Sequence, residues 1–365
     1  MTIIELNEMI DLLNNFFHNT SHRMLMIGGI VGSHPLSHVL DVVTEQLNFD
    51  RVLILDGCAD FAYIPKKFIG NYLPYQYMFA DMYVPNVSQP TPFGVSLWKQ
   101  SIPTVRTINQ QKMNQYEVVI VNNAHLIEMD YLRMIVEASK WKCVLIGDPY
   151  DIGGEDFMHA PCIVDCLEKQ SPIVGMARKL WDIPTKAIDK HVPGNVMSGK
   201  VTRKGIGKSD GRMYICNNLD ILEYAHVQQM KQDFRKGQKF FVTDERIHHV
   251  VDEDKEQTHV INKNCMLVMH RANSLSPLPQ QFQLYHSKKI IRLEIEYDNV
   301  QHLHNELDYH IQVKPGNVLT SKDARYHRYI ETVLVCSGEE LPKRYLYSAM
   351  KNSVNLAICT VKGSG

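Results

Sequence analysis

The sequence lacks several features that would assign it to a special class of protein. It contains no run of 18 apolar residues, so no membrane-spanning helix is predicted. Residues 1–19 carry acids without an early basic cluster, which predicts an amphipathic helix and not a signal peptide. Internal repeats and low-complexity tracts are absent too. We therefore expect a globular intracellular protein of the cytoplasm or nucleus, with no membrane partner.

Neither sign of charge is in excess, and cysteine is sparse. The 365 residues include 39 Lys and Arg against 40 Asp and Glu, so only a local basic face could attract nucleic acid. Most of the eight cysteines lie inside apolar runs, which indicates buried free thiols in a reducing compartment. Cys162 and Cys166 form an isolated C-x3-C without a matching second pair, so no zinc site is predicted.

Four short apolar runs, each ending in turn residues, organise the first 150 residues. They are RMLMIGG (23–29), RVLILDG (51–57), YEVVIVNN (116–123) and KCVLIGD (142–148). Helical spacing occurs between them, at 36–47 and 130–139. Continuous apolar runs of this kind predict parallel strands covered on both faces. The pattern predicts a doubly wound α/β domain whose ligand crevice lies beyond the carboxyl ends of the strands.

A second α/β unit follows a basic segment. Residues 183–212 are rich in Gly, Pro, Lys and Arg and show no clear period, which predicts a linker between domains. Beyond it, strands are predicted at 212–218, 238–244, 263–270, 281–287, 288–297, 330–337 and 354–361, with helices at 219–237 and 343–353. The predicted units are a first domain at 1–180, the linker at 181–211, a second domain at 212–362 and an added linker at 363–365.

Four motifs occur in the order GGIVGSHP (28–35), VVIVNNAH (118–125), VLIGDPYDIGG (144–154) and LYSAMKNSVNLAI (346–358). The third is the most specific, because a strand ending in Gly-Asp-Pro-Tyr directly after the second motif is not a generic turn. Together they resemble the superfamily-one DNA helicases of the RecD-like branch, from about residue 20 to 362. The resemblance implies an α/β protein with two RecA-like, P-loop NTPase-type, doubly wound parallel-sheet domains.

The resemblance also implies a nucleotide site, and its phosphate loop is degenerate here. His34 stands at the lysine position and Pro35 at the position of the magnesium-binding hydroxyl. A neutral histidine poorly replaces a permanent cation, and proline lacks both a hydroxyl and an N–H. What remains is a vestigial phosphate loop made of Gly28, Gly29, Gly32 and Ser33.

The other positions that the resemblance assigns to catalysis are altered as well. Asn122 and Asn123 replace the acid that holds Mg²⁺ and the acid that activates water, and neither amide can act as a base. Asp151 replaces the glutamine that senses the γ-phosphate, and its charge would repel that group. Asn352 replaces the arginine that stabilises phosphoryl transfer, with Lys351 beside it. We therefore predict no working catalytic residue, no cofactor and no metal site.

These substitutions predict a helicase-like protein that has lost ATP hydrolysis, a pseudo-helicase. It would bind nucleic acid or act as a scaffold in a replication or transcription assembly, and a viral or phage origin would suit such divergence. The expected partners are single-stranded nucleic acid and other replication or transcription proteins.

Two alternative functions stay open. One is a divergent but active ATP-dependent helicase in which Lys351 or another lysine replaces the lost charges. The other is an unrelated α/β enzyme that uses Asp56, Asp148 or His125.

Two basic clusters are the candidate nucleic-acid-binding residues. The first, in the predicted linker, comprises Lys200, Arg203, Lys204 and Lys208. The second, in the predicted second domain, comprises Arg325, Tyr326 and Arg328, with His327 between them. Both clusters are predicted in loops, where binding residues concentrate. Cationic grooves with stacking aromatics hold single strands, and such binding depends steeply on salt.

Overall fold

The structure is a computed structural model with parallel sheets in both halves of the chain. It describes residues 3–18, 23–28, 35–58, 71–83, 103–154, 157, 196–208, 210–232, 234–244, 248–251, 254, 258–261, 263–271, 280–285, 290–293, 295–297, 311–337 and 342–362.

Among the described residues, the first half contains four α-helices and seven strands. In chain order they are α1 (Ile3–His18), β1 (Met24–Gly28), α2 (Pro35–Gln46), β2 (Val52–Asp56), β3 (Tyr72–Pro74), β4 (Phe79–Tyr83), β5 (Pro103–Ile108), α3 (Gln110–Met113), β6 (Val118–Asn122), α4 (Met129–Ala138) and β7 (Lys142–Gly147). Five strands form a parallel sheet in the order β1-β7-β6-β2-β3, and β4 pairs with β5 in an antiparallel ribbon.

Both faces of this sheet are buried, which explains its continuous apolar strands. Leu53 and Leu55 of β2 pack into the same core as α4, whereas Val52 and Ile54 pack into the core that contains α1 and α2. All four side chains are fully buried. Successive strand residues point to opposite faces, so a sheet covered on both sides needs apolar residues at every position.

The second half contains three helices and thirteen strands among the residues that the structure describes. They are β8 (Val196–Val201), β9 (Met213–Cys216), α5 (Leu219–Met230), β10 (Lys239–Val242), β11 (His248–Val251), β12 (Thr258–Ile261), β13 (Met266–Arg271), β14 (Gln280–Leu284), β15 (Ile290–Leu293), β16 (Ile295–Tyr297), β17 (Ile311–Pro315), β18 (Val318–Leu319), α6 (Ser321–Ala324), β19 (Tyr329–Cys336), α7 (Lys343–Lys351) and β20 (Ser353–Val361).

Five of these strands form a second parallel sheet, in the order β18-β9-β19-β20-β8. Helix α5 packs into the core on one face, and α6 and α7 pack into the core on the other. The predicted fold class, α/β with two RecA-like doubly wound parallel-sheet domains, is therefore confirmed. No helix among the described residues is long and apolar enough to cross a membrane.

A six-stranded sheet in the order β15-β14-β13-β10-β17-β16 is inserted between α5 and β18 and was not predicted as a separate layer. It is antiparallel except for the pair β16–β17. Strand β10 joins it to the parallel sheet, because Phe241 packs into the parallel sheet's core and Phe240 into the core of the inserted sheet. Because successive side chains of a strand point to opposite faces, one short strand can contribute to both cores.

Two local predictions differ from the structure. The segment predicted as a linker contains β8, which pairs along its length with β20 at the edge of the second sheet. Residues 197–200 of β8 are exposed, so no buried apolar run marks this strand in the sequence. The helix predicted to reach residue 237 ends at Met230. The domain limits themselves remain a prediction, because residues 158–195 and 363–365 lie outside the described part of the chain.

Candidate functional site

Two polar networks lie at the carboxyl ends of the strands of the first sheet, where doubly wound proteins bind ligands. The register pairs Asp56, the last residue of β2, with Asn122, the last residue of β6. Asp148 follows directly after β7. The same strand ends therefore carry acidic and amide side chains, although the amides replace the acids that the resemblance assigns to β6.

The first network surrounds the carboxylate of Asp56, which is 1% exposed. Asn122 donates from Nδ2 to Oδ2 at 2.8 Å, and Asn123 donates from Nδ2 to Oδ1 at 2.9 Å. The backbone N–H of Cys58 donates to Oδ1 at 2.7 Å, and the Tyr72 hydroxyl donates to Oδ2. Asn123 reaches this position with φ of 51°, a left-handed conformation that asparagine tolerates better than most residues.

This geometry gives a physical reason for the two asparagines. Burial raises the pKa of Asp56, while the donors on Asn123, Tyr72 and Asn122 oppose that rise by favouring the charged form. Burial, together with the adjacent Asp56, also raises the pKa of Tyr72, which keeps its hydroxyl protonated as a donor. An acid at residue 122 or 123 would present a like charge to Asp56 instead of a donor. At these two neighbouring strand ends, the carboxylate belongs to β2, and Asn122 and Asn123 supply the amide donors that it accepts from.

The second network joins the two halves of the chain. Lys351 of α7 places Nζ 2.8 Å from Asp151 Oδ2 and 3.1 Å from Asp148 Oδ2. The Tyr347 hydroxyl, one turn earlier in α7, donates to Asp148 Oδ2 at 2.7 Å. His125 Nε2 lies 3.2 Å from Asp151 Oδ2. The side chains of Asp151 and His125 are fully buried, and those of Asp148 and Lys351 are 5% and 19% exposed.

The hydrogen bonds determine the protonation of His125. The backbone N–H of Asp148 donates to His125 Nδ1 at 3.1 Å, so Nδ1 is an acceptor and a neutral ring carries its proton on Nε2. That proton is donated to Asp151. Burial lowers the pKa of His125, in agreement with a neutral ring.

The charges of the other members follow from their partners. Burial alone would raise the pKa of Asp151, but the Lys351 ammonium and the His125 hydrogen bond hold it well below its usual range. Burial alone would lower the pKa of Lys351, but Asp148 and Asp151 raise it above the value of an exposed lysine. The network therefore contains two carboxylates, one ammonium and a neutral imidazole.

Further contacts connect the halves around this network. Arg325 Nη1 donates to the carbonyl oxygen of Ile152 at 2.8 Å, and Cys58 Sγ lies 2.9 Å from the carbonyl oxygen of Tyr326. Leu126, from the first half, is 3% exposed and belongs to the core cluster under the second parallel sheet. We call the contact between loop 148–153 and residues Arg325, Tyr347 and Lys351 the seam.

The predicted nucleotide-site residues fall in different places. Gly28 ends β1 opposite Gly147, and Pro35 begins α2. The rest of the predicted phosphate loop, Gly29, Gly32, Ser33 and His34, lies outside the described residues, so the vestigial loop stays a prediction. Asn352 follows α7 and donates from Nδ2 to the Arg325 carbonyl oxygen at 3.3 Å. Lys351, and not Asn352, therefore reaches Asp151.

The carboxylates at these strand ends do not fit a nucleotide-bound magnesium ion. Asp56 is surrounded by protein donors, and Asp148 and Asp151 are paired with Lys351. Within the described ranges, no group of three or more His, Cys, Asp or Glu side chains could hold a metal ion. The hydrogen bonds around Asp56 and the pairing of Lys351 with two carboxylates were not predicted, although both residues were named as candidates. The signal in the sequence was that two apolar runs end in polar residues, Asp56 and Asn122.

The first basic cluster is exposed on the second half. Lys200 belongs to β8, Arg203 and Lys204 to a turn of 3₁₀ helix, and Lys208 follows that turn. The Arg203 guanidinium lies 4.6 Å from the centre of the Tyr224 ring. Loop placement is thus correct for three of the four residues, and Lys200 instead lies in a strand.

The second basic cluster differs from its predicted form. Tyr326 is 8% exposed, because it packs in the core under the second sheet. Arg325 is held by Ile152 and by the Tyr326 hydroxyl, to which its Nη2 donates at 2.8 Å. Tyr326 therefore has no ring face available to stack on a base, and this part of the prediction is corrected. Arg328 is exposed.

No protein-family model matches this chain, and neither does any curated protein. The chain is similar to solved structures of Pif1 helicases. One is Bacteroides Pif1 with ADP-AlF3 and single-stranded DNA, at 9% identity and a TM-score of 0.48, covering 97% of this chain and 92% of that one. A second, of two coordinating Pif1 helicases at forked DNA, shows 9% identity, a TM-score of 0.49 and coverage of 98% and 92%. Pif1 from Candida albicans shows 10% identity, a TM-score of 0.40 and coverage of 98% and 94%. Identities of this size establish no residue-level equivalence, so the RecD-like type and the loss of catalysis remain predictions.

Proposed function

We propose that this protein is a helicase-like component of a replication or transcription assembly that binds single-stranded nucleic acid and does not hydrolyse ATP. The observation that carries the proposal is the state of the strand ends in the first half. There the Asp56 carboxylate is surrounded by protein hydrogen-bond donors, and Asp148 and Asp151 are paired with Lys351 of the second half.

The loss of hydrolysis is supported by the chemistry of these groups. Hydrolysis of a nucleoside triphosphate needs a group that positions the metal and a group that orients or activates water. At the end of β6 both positions hold amides, whose nitrogens donate to Asp56. Lys351, the cation beside the altered arginine position, is already shared by two carboxylates. No side chain described at these strand ends combines a charge with an open position for a phosphate.

Nucleic-acid binding is supported by the first basic cluster. Arg203, Lys204 and Lys208 follow one another within six residues, and all are exposed. Arg203 is exposed and lies over the Tyr224 ring, which places a cation beside an aromatic side chain, a combination that suits phosphate and base contacts. Binding through this cluster would be led by phosphate contacts and would show weak sequence preference.

Calorimetric titration of the full chain with Mg-ATP at millimolar concentration tests the first part of the proposal. We expect no saturable heat in this titration. We also expect no more phosphate to be released than from Mg-ATP incubated without the protein. A micromolar dissociation constant, or turnover above background, would favour the divergent active helicase instead.

Fluorescence anisotropy with a labelled single strand at two salt concentrations tests the second part. The triple variant Arg203→Ala, Lys204→Ala, Lys208→Ala should bind more weakly, and its salt slope should fall by up to about 0.7 per lost contact. A matched control removes three exposed lysines elsewhere, by changing Lys140, Lys322 and Lys343 to Ala. Equal losses in both variants would indicate non-specific attraction. No binding at low salt would leave the scaffolding role alone.

A further inference from the structure

The acidic and basic members of the second network come from opposite halves of the chain. We propose that Asp148 and Asp151 act as an internal anion for Lys351, so that the two halves close on each other without a bound nucleotide. The inference rests on the proposed function, and it adds the physical means by which a protein without nucleotide turnover keeps its halves together.

Each carboxylate has one oxygen held by its own loop and one directed at the other half. Asp148 Oδ1 accepts from the backbone N–H of Tyr150 at 3.0 Å, and Asp151 Oδ1 accepts from the N–H of Ile152 at 2.7 Å. The two Oδ2 atoms both contact Lys351. The loop therefore presents two fixed anionic oxygens to one cation, in the manner of a bound oxyanion.

The remaining donors complete the surroundings of these two oxygens. Tyr347 donates to Asp148 Oδ2 from the second half, and His125 donates to Asp151 Oδ2 from the first. Asp148, Asp151 and Lys351 together carry one net negative charge, so a phosphate placed against these two oxygens would be repelled. Lys351 would in turn lose both of its partners if the halves separated. The ion pairs thus favour closure and disfavour an external anion at the same position.

The backbone of the loop is shaped for this contact. Gly153 has φ of 90°, and a Cβ added there would lie 2.7 Å from Arg325 Nη1 and 2.9 Å from the His125 carbonyl oxygen. The close approach lets Arg325 reach the carbonyl oxygen of Ile152. Loop 148–153 is consequently held from both sides, by its own half through His125 and by the second half through Arg325, Tyr347 and Lys351.

Hydrogen–deuterium exchange of the full chain, followed by mass spectrometry, tests the proposal. Lys351→Met keeps the length of the side chain and removes its charge. We expect exchange at least tenfold faster in peptides covering 148–154 and 343–352, with little change at 52–56. The control is Lys343→Met, which removes an exposed lysine from the other end of α7. Exchange rates of the seam peptides in Lys351→Met that lie within twofold of those in the control would overturn the proposal.

Lys351→Met leaves two carboxylates without their cation, so a second variant tests the proposal if that protein does not fold. The triple variant Lys351→Met, Asp148→Asn, Asp151→Asn removes the whole set of charges, and removing a complete buried ion set is tolerated better than breaking it. Faster exchange confined to the seam in this folded variant supports the proposal. Unchanged protection of the seam contradicts it.

The same measurement separates this inference from the proposed function. Exchange of the wild-type seam should be identical with and without millimolar Mg-ATP. Slower exchange with Mg-ATP would contradict the proposed loss of nucleotide binding, whatever Lys351→Met does. If Mg-ATP does not change exchange in the wild-type seam, and Lys351→Met does not change it either, only the proposal of an internal anion is contradicted.

Discussion

Replacing Asn122 by aspartate restores the acid that the resembled helicases carry at the end of this strand, yet we expect it to destabilise the protein. In the structure Asn122 Nδ2 donates to Asp56 Oδ2 at 2.8 Å, and both residues are buried. The substitution changes only a nitrogen to an oxygen. It turns a donor facing a carboxylate into a second carboxylate.

The expected magnitude has two parts. A hydrogen bond to a charged group contributes about 1.5–3 kcal/mol. Two unit charges about 3 Å apart repel by about 5 kcal/mol at an effective dielectric constant of about 20. The pair relieves part of that repulsion by retaining one proton, as paired carboxylates do. We therefore expect Asn122→Asp to lower the free energy of unfolding by about 3–5 kcal/mol at pH 8.

The cost should depend on pH in a definite direction. The new carboxyl would have a pKa raised above its unfolded value by burial and by Asp56, so the unfolded state loses its proton first as the pH rises. The destabilisation is thus absent below the unfolded pKa and grows above it, by about 1.4 kcal/mol per pH unit until the folded pKa is reached. At pH 5 we expect about 1–3 kcal/mol.

Urea unfolding of wild type and Asn122→Asp at pH 8 and pH 5 measures both quantities. The matched control is Asn355→Asp, because Asn355 also donates to a carboxylate, Glu331 Oε1 at 2.7 Å, but at an exposed site. The control should cost less than about 1 kcal/mol at either pH. A variant as stable as wild type at pH 8, or one equally destabilised at both pH values, would refute this account of the asparagines.

Three further predictions concern the seam and its loop. Tyr347→Phe leaves Asp148 without one donor and should cost about 1–3 kcal/mol in urea unfolding. Asp151 has a lowered folded pKa, so its contribution is present above the unfolded value of 3.8 and lost as the pH falls below it. Asp151→Asn should therefore flatten the loss of stability between about pH 4 and pH 2, measured by circular dichroism. Gly153→Ala should lower the melting temperature more than Gly211→Ala, because both glycines have φ between 80° and 90° but only Gly153 is crowded. Equal shifts would show that the close contact is unimportant.

The parallel sheets could be predicted because burial on both faces leaves a direct mark on the sequence. The runs at β1, β2, β6 and β7 are apolar at consecutive positions, and the structure buries them as expected. Strand β8 left no such mark, because its central residues are exposed and only its pairing with β20 defines it. The inserted sheet was missed as a layer for a related reason. Most of its strands were predicted, but β15 and β16 were predicted as a single strand and β17 was not predicted. The antiparallel pairing of β10 with β17 joins segments far apart in the chain and has no local signal.

For the candidate site too, some features could be predicted from the sequence and others could not. The amino-acid sequence alone shows which side chains follow the apolar runs, including Asn122 and Asn123 at positions where acids would support hydrolysis. What those side chains contact follows from the folding of the chain. Asp56 receives both amides because β2 and β6 are neighbours in register. Lys351 meets Asp151 because the loop after β7 contacts α7, 200 residues further along the chain. A charge's partner depends on distances of a few ångströms between segments far apart in sequence, and residue spacing along the chain carries no information about them.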